Sequence, residues 1–214
     1  MLEAISKMFD PSFPASFVNF SFLPKFASYF VDGVLNTLAL SVAAVLLAVI
    51  PALLLALMRL SKNRIVHWLS GAYIAIFRST PLMVQLAIIY FGVFYIIEVP
   101  RVYIGFVRLD MFLPFVVSLA LNSSAYVAEI FRAGILAVDS GQMEAARSLG
   151  LSQGQAMKLV VLPQAVKNVL PALANELVTM VKESSVCSAY GMGELMFAAK
   201  SVAGTTLISV GPFV

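Results

Sequence analysis

The chain has 214 residues, 61% of them hydrophobic and 12% charged, with a formal net charge of +3. A soluble domain has about 45–50% apolar and roughly 25% charged residues, so the apolar excess here has to face lipid. The small, dispersed positive charge contains no Lys/Arg-rich tract, which excludes a phosphate-binding stripe and a nucleic-acid partner. A single cysteine, Cys187, excludes an intrachain disulfide and a multi-cysteine metal site, and a single histidine, His67, excludes a poly-histidine metal centre.

Residues 1–32 set Phe9, Phe13, Phe17, Phe20, Phe22, Phe26, Tyr29 and Phe30 among Pro11, Pro14 and Pro24. This is not a signal peptide, because no basic start leads into a clean apolar core with a small-residue cleavage site. Aromatics at this density suit the membrane interface. The segment reads as an interfacial helix or irregular stretch on the outer face; the alternative is a loose terminus.

Residues 34–58 carry no charge and exceed the roughly 20 apolar residues a spanning helix needs. Pro51 is tolerable in such a helix when neighbours satisfy the freed carbonyl. Arg59, Lys62 and Arg64 follow at once, so by the positive-inside rule this end is cytoplasmic and the N-terminus is outside. His67 and Trp68 then read as an interfacial anchor. A second span, 71–97, is interrupted by Arg78, Ser79, Thr80 and Pro81, with a bend expected at Thr80 because the next residue is proline. After an outer loop, a third span at 111–138 leads to a cytoplasmic loop at 139–167. A fourth, 170–190, returns outward.

The loop is the longest polar stretch. Asp139 at an N-cap with Gln142 three residues on is a capping-box pattern. Glu144 falls in the first turn, where the helix dipole favours a carboxylate. Ala145 and Ala146 are strong helix formers whose small side chains let a second backbone approach. Gly150 permits a left-handed residue that stops the helix. A second short helix, about 152–162, ends at Pro163. The bland alternative is an ordinary amphipathic loop helix.

Polar residues inside the spans form faces. Asn122, Tyr126 and Glu129 lie at i, i+4 and i+7, with Ser118 a turn above. Ionisable groups within a membrane normally face the bundle interior or a water-filled cavity. This face therefore reads as lining a translocation pathway. Within such a pathway Glu129 would accept from a cation, while Gln85, Asn122, Ser123 and Tyr126 would offer hydrogen-bonding groups. The competing reading pairs Glu129 with Arg78 or Arg132 as a structural ion pair. Lys182 and Glu183 are adjacent and point apart, one toward a cavity and one toward a partner helix. Cys187 reads as a packing residue. No catalytic set and no GxxxxGK[ST] phosphate loop is present, so the chain reads as a non-enzyme that holds no cofactor or metal.

The order Glu144-Ala145-Ala146, three residues, Gly150, nine residues, Val160-Val161-Leu162-Pro163 resembles the EAA signature of ABC-importer permeases. Phe77-Arg78-Ser79-Thr80-Pro81-Leu82-Met83-Val84-Gln85 resembles the FRGTPLLVQ segment of the polar-amino-acid branch, which serves histidine, glutamine and arginine. The run 121–135, with Asn122, Tyr126, Glu129 and Arg132, is similar to the same branch nearly residue for residue. So are Gly141-Gln142, Leu162-Pro163-Gln164-Ala165 and Lys182-Glu183-Ser184-Ser185. The likeness covers about 33–194. Two departures are Ser79 in place of glycine and the missing fifth span, since 201–214 falls short of about 20 residues.

The resemblance implies an all-α integral membrane protein, a polytopic helical bundle of ABC importer type I, of whose spans the apolar segments supply four and the family's fifth is missing. Residues 1–32 precede a permease domain at 33–214. It implies a bacterial inner-membrane permease subunit of a binding-protein-dependent amino-acid importer. Its partners would be an ATPase dimer holding ATP and magnesium, a second permease subunit, and an extracellular or periplasmic amino-acid-binding protein. Gln142, Glu144, Ala145, Ala146, Gly150, Leu162 and Pro163 would dock the ATPase. Arg78, Pro81, Arg132, Lys182 and Glu183 would be structural or line the pathway. The alternatives are a permease for another small solute, or a truncated, non-transporting membrane partner of the ATPase.

Overall fold

In the computed structural model, residues 19–97, 99–208 and 210–214 are described, and they are helical apart from one short hairpin. Helix α1 runs Leu23–Arg59 with Pro24 in its first turn, where a missing N–H leaves nothing unsatisfied. Pro51 lies inside the helix without ending it. Gly33, Thr37, Ser41, Ala44, Ala48, Ala52 and Ala56 recur every three or four positions and are all buried. Small side chains let backbones approach closely. Gly33 and Thr37 at the start of this stripe meet Leu195, and α1 as a whole packs along α4, Leu109–Leu136, in the most extensive helix pairing of the fold. The opposite face of α1, with Leu46, Ile50 and Leu54, stays exposed.

The first span thus starts at Leu23 rather than at 34, because no breaker lies between Pro24 and Pro51. Residues 23–32 of the expected interfacial segment belong to this helix, and residues 1–18 lie outside the described residues. Asn63 then caps α2, Arg64–Ser79, by accepting from the N–H groups of Ile65 and Val66. Helix α3, Leu82–Ala87, continues through a wide π turn, Ile88–Val93, to Phe94–Ile96. The expected single span 71–97 is therefore broken, and its two halves are bent by 105°. Thr80 is extended at ψ 144, the geometry favoured before proline.

The loop before α4 contains an antiparallel hairpin that an all-helical reading does not include. In it Tyr103 pairs with Arg108 across strands β1, Tyr103–Ile104, and β2, Val107–Arg108. After α4 come α5, Ser140–Ser148, and α6, Gln153–Ala156. A π turn, Met157–Val161, joins α6 directly to α7, Leu162–Glu183. Pro163 thus falls in the first turn of α7, directly after the π turn, and does not close a loop helix. The expected fourth span, 170–190, is likewise shifted: α7 ends at Glu183 and a 3-10 segment, Ser184–Tyr190, follows.

Gln164, Lys167, Asn168, Asn175 and Glu176 make α7 polar along much of its length. By length and composition, the described residues hold two spanning helices, α1 and α4, or three if the bent α2–α3 pair is one. The sequence reading counts four. Helix α8, Leu195–Thr206, has 12 residues and packs on α1. Leu40, Leu86, Phe115, Leu119, Met180 and Cys187 fill one core, and Ala52, Ile74, Ala125, Val127 and Ala128 a second. Cys187 is buried packing, as read from the sequence.

Candidate functional site

Two groups of residues matter, one on the connection between α4 and α7 and one inside the bundle. On the connection, the Asp139 carboxylate accepts from the Gly141 N–H at 2.6 Å and starts α5. Gln142 does not complete a capping box there. Its side-chain oxygen accepts from Gln164 Nε2 at 3.2 Å and so ties α5 to α7. The capping box lies one helix later, where Ser152 and Gln155 satisfy each other's backbone N–H. Gly150 has φ +89 and stops α5 where the chain must reverse.

The two alanines of the Glu-Ala-Ala run separate. Glu144 and Ala145 are exposed, whereas Ala146 is buried within the chain itself. Ala146 is therefore a packing residue of the connection, and Glu144 and Ala145 form its outward face. Leu162 is exposed on the first turn of α7. Where α7 crosses α4, Gly134 meets Val169 so closely that an added Cβ would lie 2.3 Å from Val169 Cγ2. Asn168 Nδ2 donates to the Gly134 carbonyl at the same crossing. The connection, α7 and α4 are thus joined side by side.

Inside the bundle, Gln85 is buried at the bend. Its Nε2 donates to the Phe77 carbonyl at 2.8 Å and to the Thr80 carbonyl and hydroxyl at 3.0 and 2.8 Å. Its Oε1 accepts from Asn122 Nδ2 at 2.9 Å, which fastens the bend to α4. Ser123 Oγ donates to Glu176 Oε1 at 2.7 Å, joining α4 to α7. Tyr73 donates to the Leu121 carbonyl at 2.9 Å. The Arg78 guanidinium lies 5.1 Å from the Tyr126 ring centroid, an electrostatically attractive stacking. Gln85, Asn122 and Ser123 thus have protein partners for their polar groups.

Glu129 meets Arg132 at 2.8 Å and, across helices, Arg59 at 3.8 Å. At that longer distance the buried Arg59 Nε has no hydrogen-bond partner. His67 completes the group: Nδ1 is 2.8 Å from the Arg59 carbonyl and Nε2 is 2.8 Å from Arg59 Nη1. A carbonyl only accepts and a guanidinium only donates, so both contacts suit the tautomer in which Nδ1 donates and Nε2 accepts. Sequence reasoning did not join Arg59 to Glu129, which lies on a different helix far along the chain.

Lys182 lines a cavity of about 730 Å³ together with Thr37, Ser185 and Glu194. A second, of about 660 Å³, is lined by Asp32, Asn36, Tyr103 and Arg108. Asn36 donates there to the Gly193 carbonyl at 2.8 Å, and Glu194 caps α8 through the N–H groups of Met196 and Phe197. Among the described residues, no group of three or more His, Cys, Asp or Glu is placed to hold a metal.

An apolar bundle with two or three helices long and apolar enough to span, and an exposed helix between two of its members, defines a polytopic membrane protein. Residues 44–214 match the family described as the binding-protein-dependent transport system inner membrane component. The chain belongs to this family of membrane-embedded transport permeases. It is 44% identical over 174 residues to a putative glutamine transport system permease protein, GlnP, of Rickettsia prowazekii, covering 81% of this chain and 76% of that one. It is 40% identical over 186 residues to the arginine transport system permease protein ArtQ of Bacillus subtilis, covering 87% and 81%. A solved structure described as an amino acid ABC transporter with histidines superposes with a TM-score of 0.80 at 41% identity, covering 92% of this chain and 87% of that one. An inward-facing MetNI methionine ABC transporter shares the fold, with a TM-score of 0.68 at 23% identity over 86% and 88% of the two chains.

Proposed function

We propose that this chain is the membrane-spanning permease subunit of an ATP-driven importer of a polar amino acid, in a bacterial inner membrane with its N-terminus outside. The observation that carries the reading is the exposed face of Glu144 and Ala145 on α5, tied to α7 by the Gln164–Gln142 hydrogen bond and, past the turn at Gly150, by the α6–α7 helix. A separate ATPase dimer, which binds ATP and magnesium, grips that face. Movement of α5 passes along α7 and, through the close crossing at Gly134, to α4. A second permease subunit completes the path, and an external binding protein delivers the amino acid. The names of the glutamine and arginine permeases it is similar to support this class of solute.

On this reading Gln85, Asn122, Ser123 and Tyr126 border the path. Glu129, paired with Arg132 and Arg59, holds the loop end of the bundle together, and opening that pairing would free its carboxylate for a substrate ammonium. The test is reconstitution of the chain in liposomes with its ATPase and binding protein, measuring ATP hydrolysis and uptake of glutamine and arginine. Saturated binding protein is expected to stimulate hydrolysis and drive uptake of a polar amino acid. Hydrolysis that ignores the loaded binding protein, with no uptake of any amino acid, overturns the proposal.

A further inference from the structure

The turn between α1 and α2 closes over a pocket of about 600 Å³ whose lining includes Arg59, Lys62, Arg64, Trp68, Gly71 and Ala75. Arg59 is engaged by His67 and Glu129. Lys62 and Arg64 are exposed at the mouth, and among the described residues neither has a carboxylate within ion-pair distance. No acidic residue lines the pocket. Below the mouth the wall changes character: the Arg59 guanidinium covers Gly71, where an added Cβ would lie 2.9 Å from Nη1, and Ala72 and Ala75 beside Trp68 form a shallow apolar slot. Ile65 and Trp68, exposed to 70% and 68%, flank the same face.

We infer that this pocket is a binding site for an anionic phospholipid, with the headgroup phosphate between Lys62 and Arg64 and an acyl chain along Trp68, Ala72 and Ala75. Basic pockets between helices at the membrane surface take anionic headgroups. An exposed tryptophan beside such a pocket marks the level of the headgroups. A free phosphate ion would meet the same two cations but would leave the apolar slot and the Ile65–Trp68 face unused, so the lipid is the occupant that matches the whole surface. The Arg59–Glu129 contact ties this turn to the end of α4 that leads into α5. The lipid therefore sits at the loop end of the bundle and steadies it.

The test uses the full chain in nanodiscs of phosphatidylcholine with increasing phosphatidylglycerol, transferred to detergent, with retained lipid counted by native mass spectrometry. Wild-type chain is expected to retain phosphatidylglycerol selectively. Each cation near an anionic headgroup is worth about fivefold, so the exposed double variant K62Q/R64Q is expected to lower retention about 25-fold. The control K158Q/K167Q removes the same charge elsewhere and is expected to change nothing. Equal loss in the control, unchanged retention in K62Q/R64Q, or equal retention of phosphatidylcholine overturns the inference. So does displacement of the lipid by millimolar inorganic phosphate.

Discussion

The exposed connection at 139–163 and the buried polar network around Gln85 use the same residue types in opposite ways. On the connection, the helix caps satisfy neighbours two or three residues away, Asp139 with Gly141 and Ser152 with Gln155, while Gln142 reaches to Gln164. Inside the bundle, they reach across the fold: Asn122 to Gln85, Ser123 to Glu176, Asn36 to Gly193. Water can serve a polar group on the connection, so local capping suffices there. In an apolar surround, an unpartnered group is costly, so the network has to close across helices. Changes to the interior should therefore cost stability, while changes to the outward face of α5 should cost function alone.

The largest effect is expected from Gly134→Leu. The side chain would enter the space held by Val169 and the Ala165 carbonyl and force α4 and α7 apart. Overpacking of this kind costs about 3 kcal/mol, more than leucine's better helix propensity returns. The thermal unfolding midpoint of the detergent-purified chain should fall accordingly; an unchanged midpoint would show that the crossing is loose.

A smaller loss is expected from Ser123→Ala, which deprives the buried Glu176 carboxylate of its donor across α4 and α7. Interhelical hydrogen bonds in membrane proteins contribute about 1 kcal/mol or somewhat less. The same melting experiment reads it, and Glu176→Gln in the Ser123→Ala background should recover part of the loss.

The smallest effect on stability, and the sharpest on function, is expected from Ala145→Glu. Ala145 is exposed on α5 and touches no core, so its melting should stay within about 0.5 kcal/mol of wild type. Binding of the ATPase and ATP-driven uptake should nevertheless be lost. A matching loss of stability would mean that Ala145, like Ala146, packs inside the chain.

The contrast also sorts what could be read in advance. The Asp139 cap, the stop at Gly150 and the bend at Thr80-Pro81 depend on single residues whose backbone preferences are local, and they were legible. The division of Ala145 from Ala146 was not, because both are small and good helix formers, and only the position of α7 makes one of them buried. The length of α1 was misjudged because aromatic residues before 34 look interfacial yet are compatible with helix. The opening role of Pro163 was hidden because proline marks both the end of one helix and the start of the next.

By itself the sequence determined that this chain is a lipid-embedded helical bundle with an exposed Glu-Ala-Ala helix between two of its members. Apolar content, charge placement and glycine and proline positions are properties of the chain alone. Only the tertiary structure decided that Gln85 fastens the bend to α4, that Glu129 is held by Arg59 as well as Arg132, and that α6 runs into α7 without a break. Those outcomes rest on which helices lie side by side, and side-chain spacing along one helix cannot specify its neighbour.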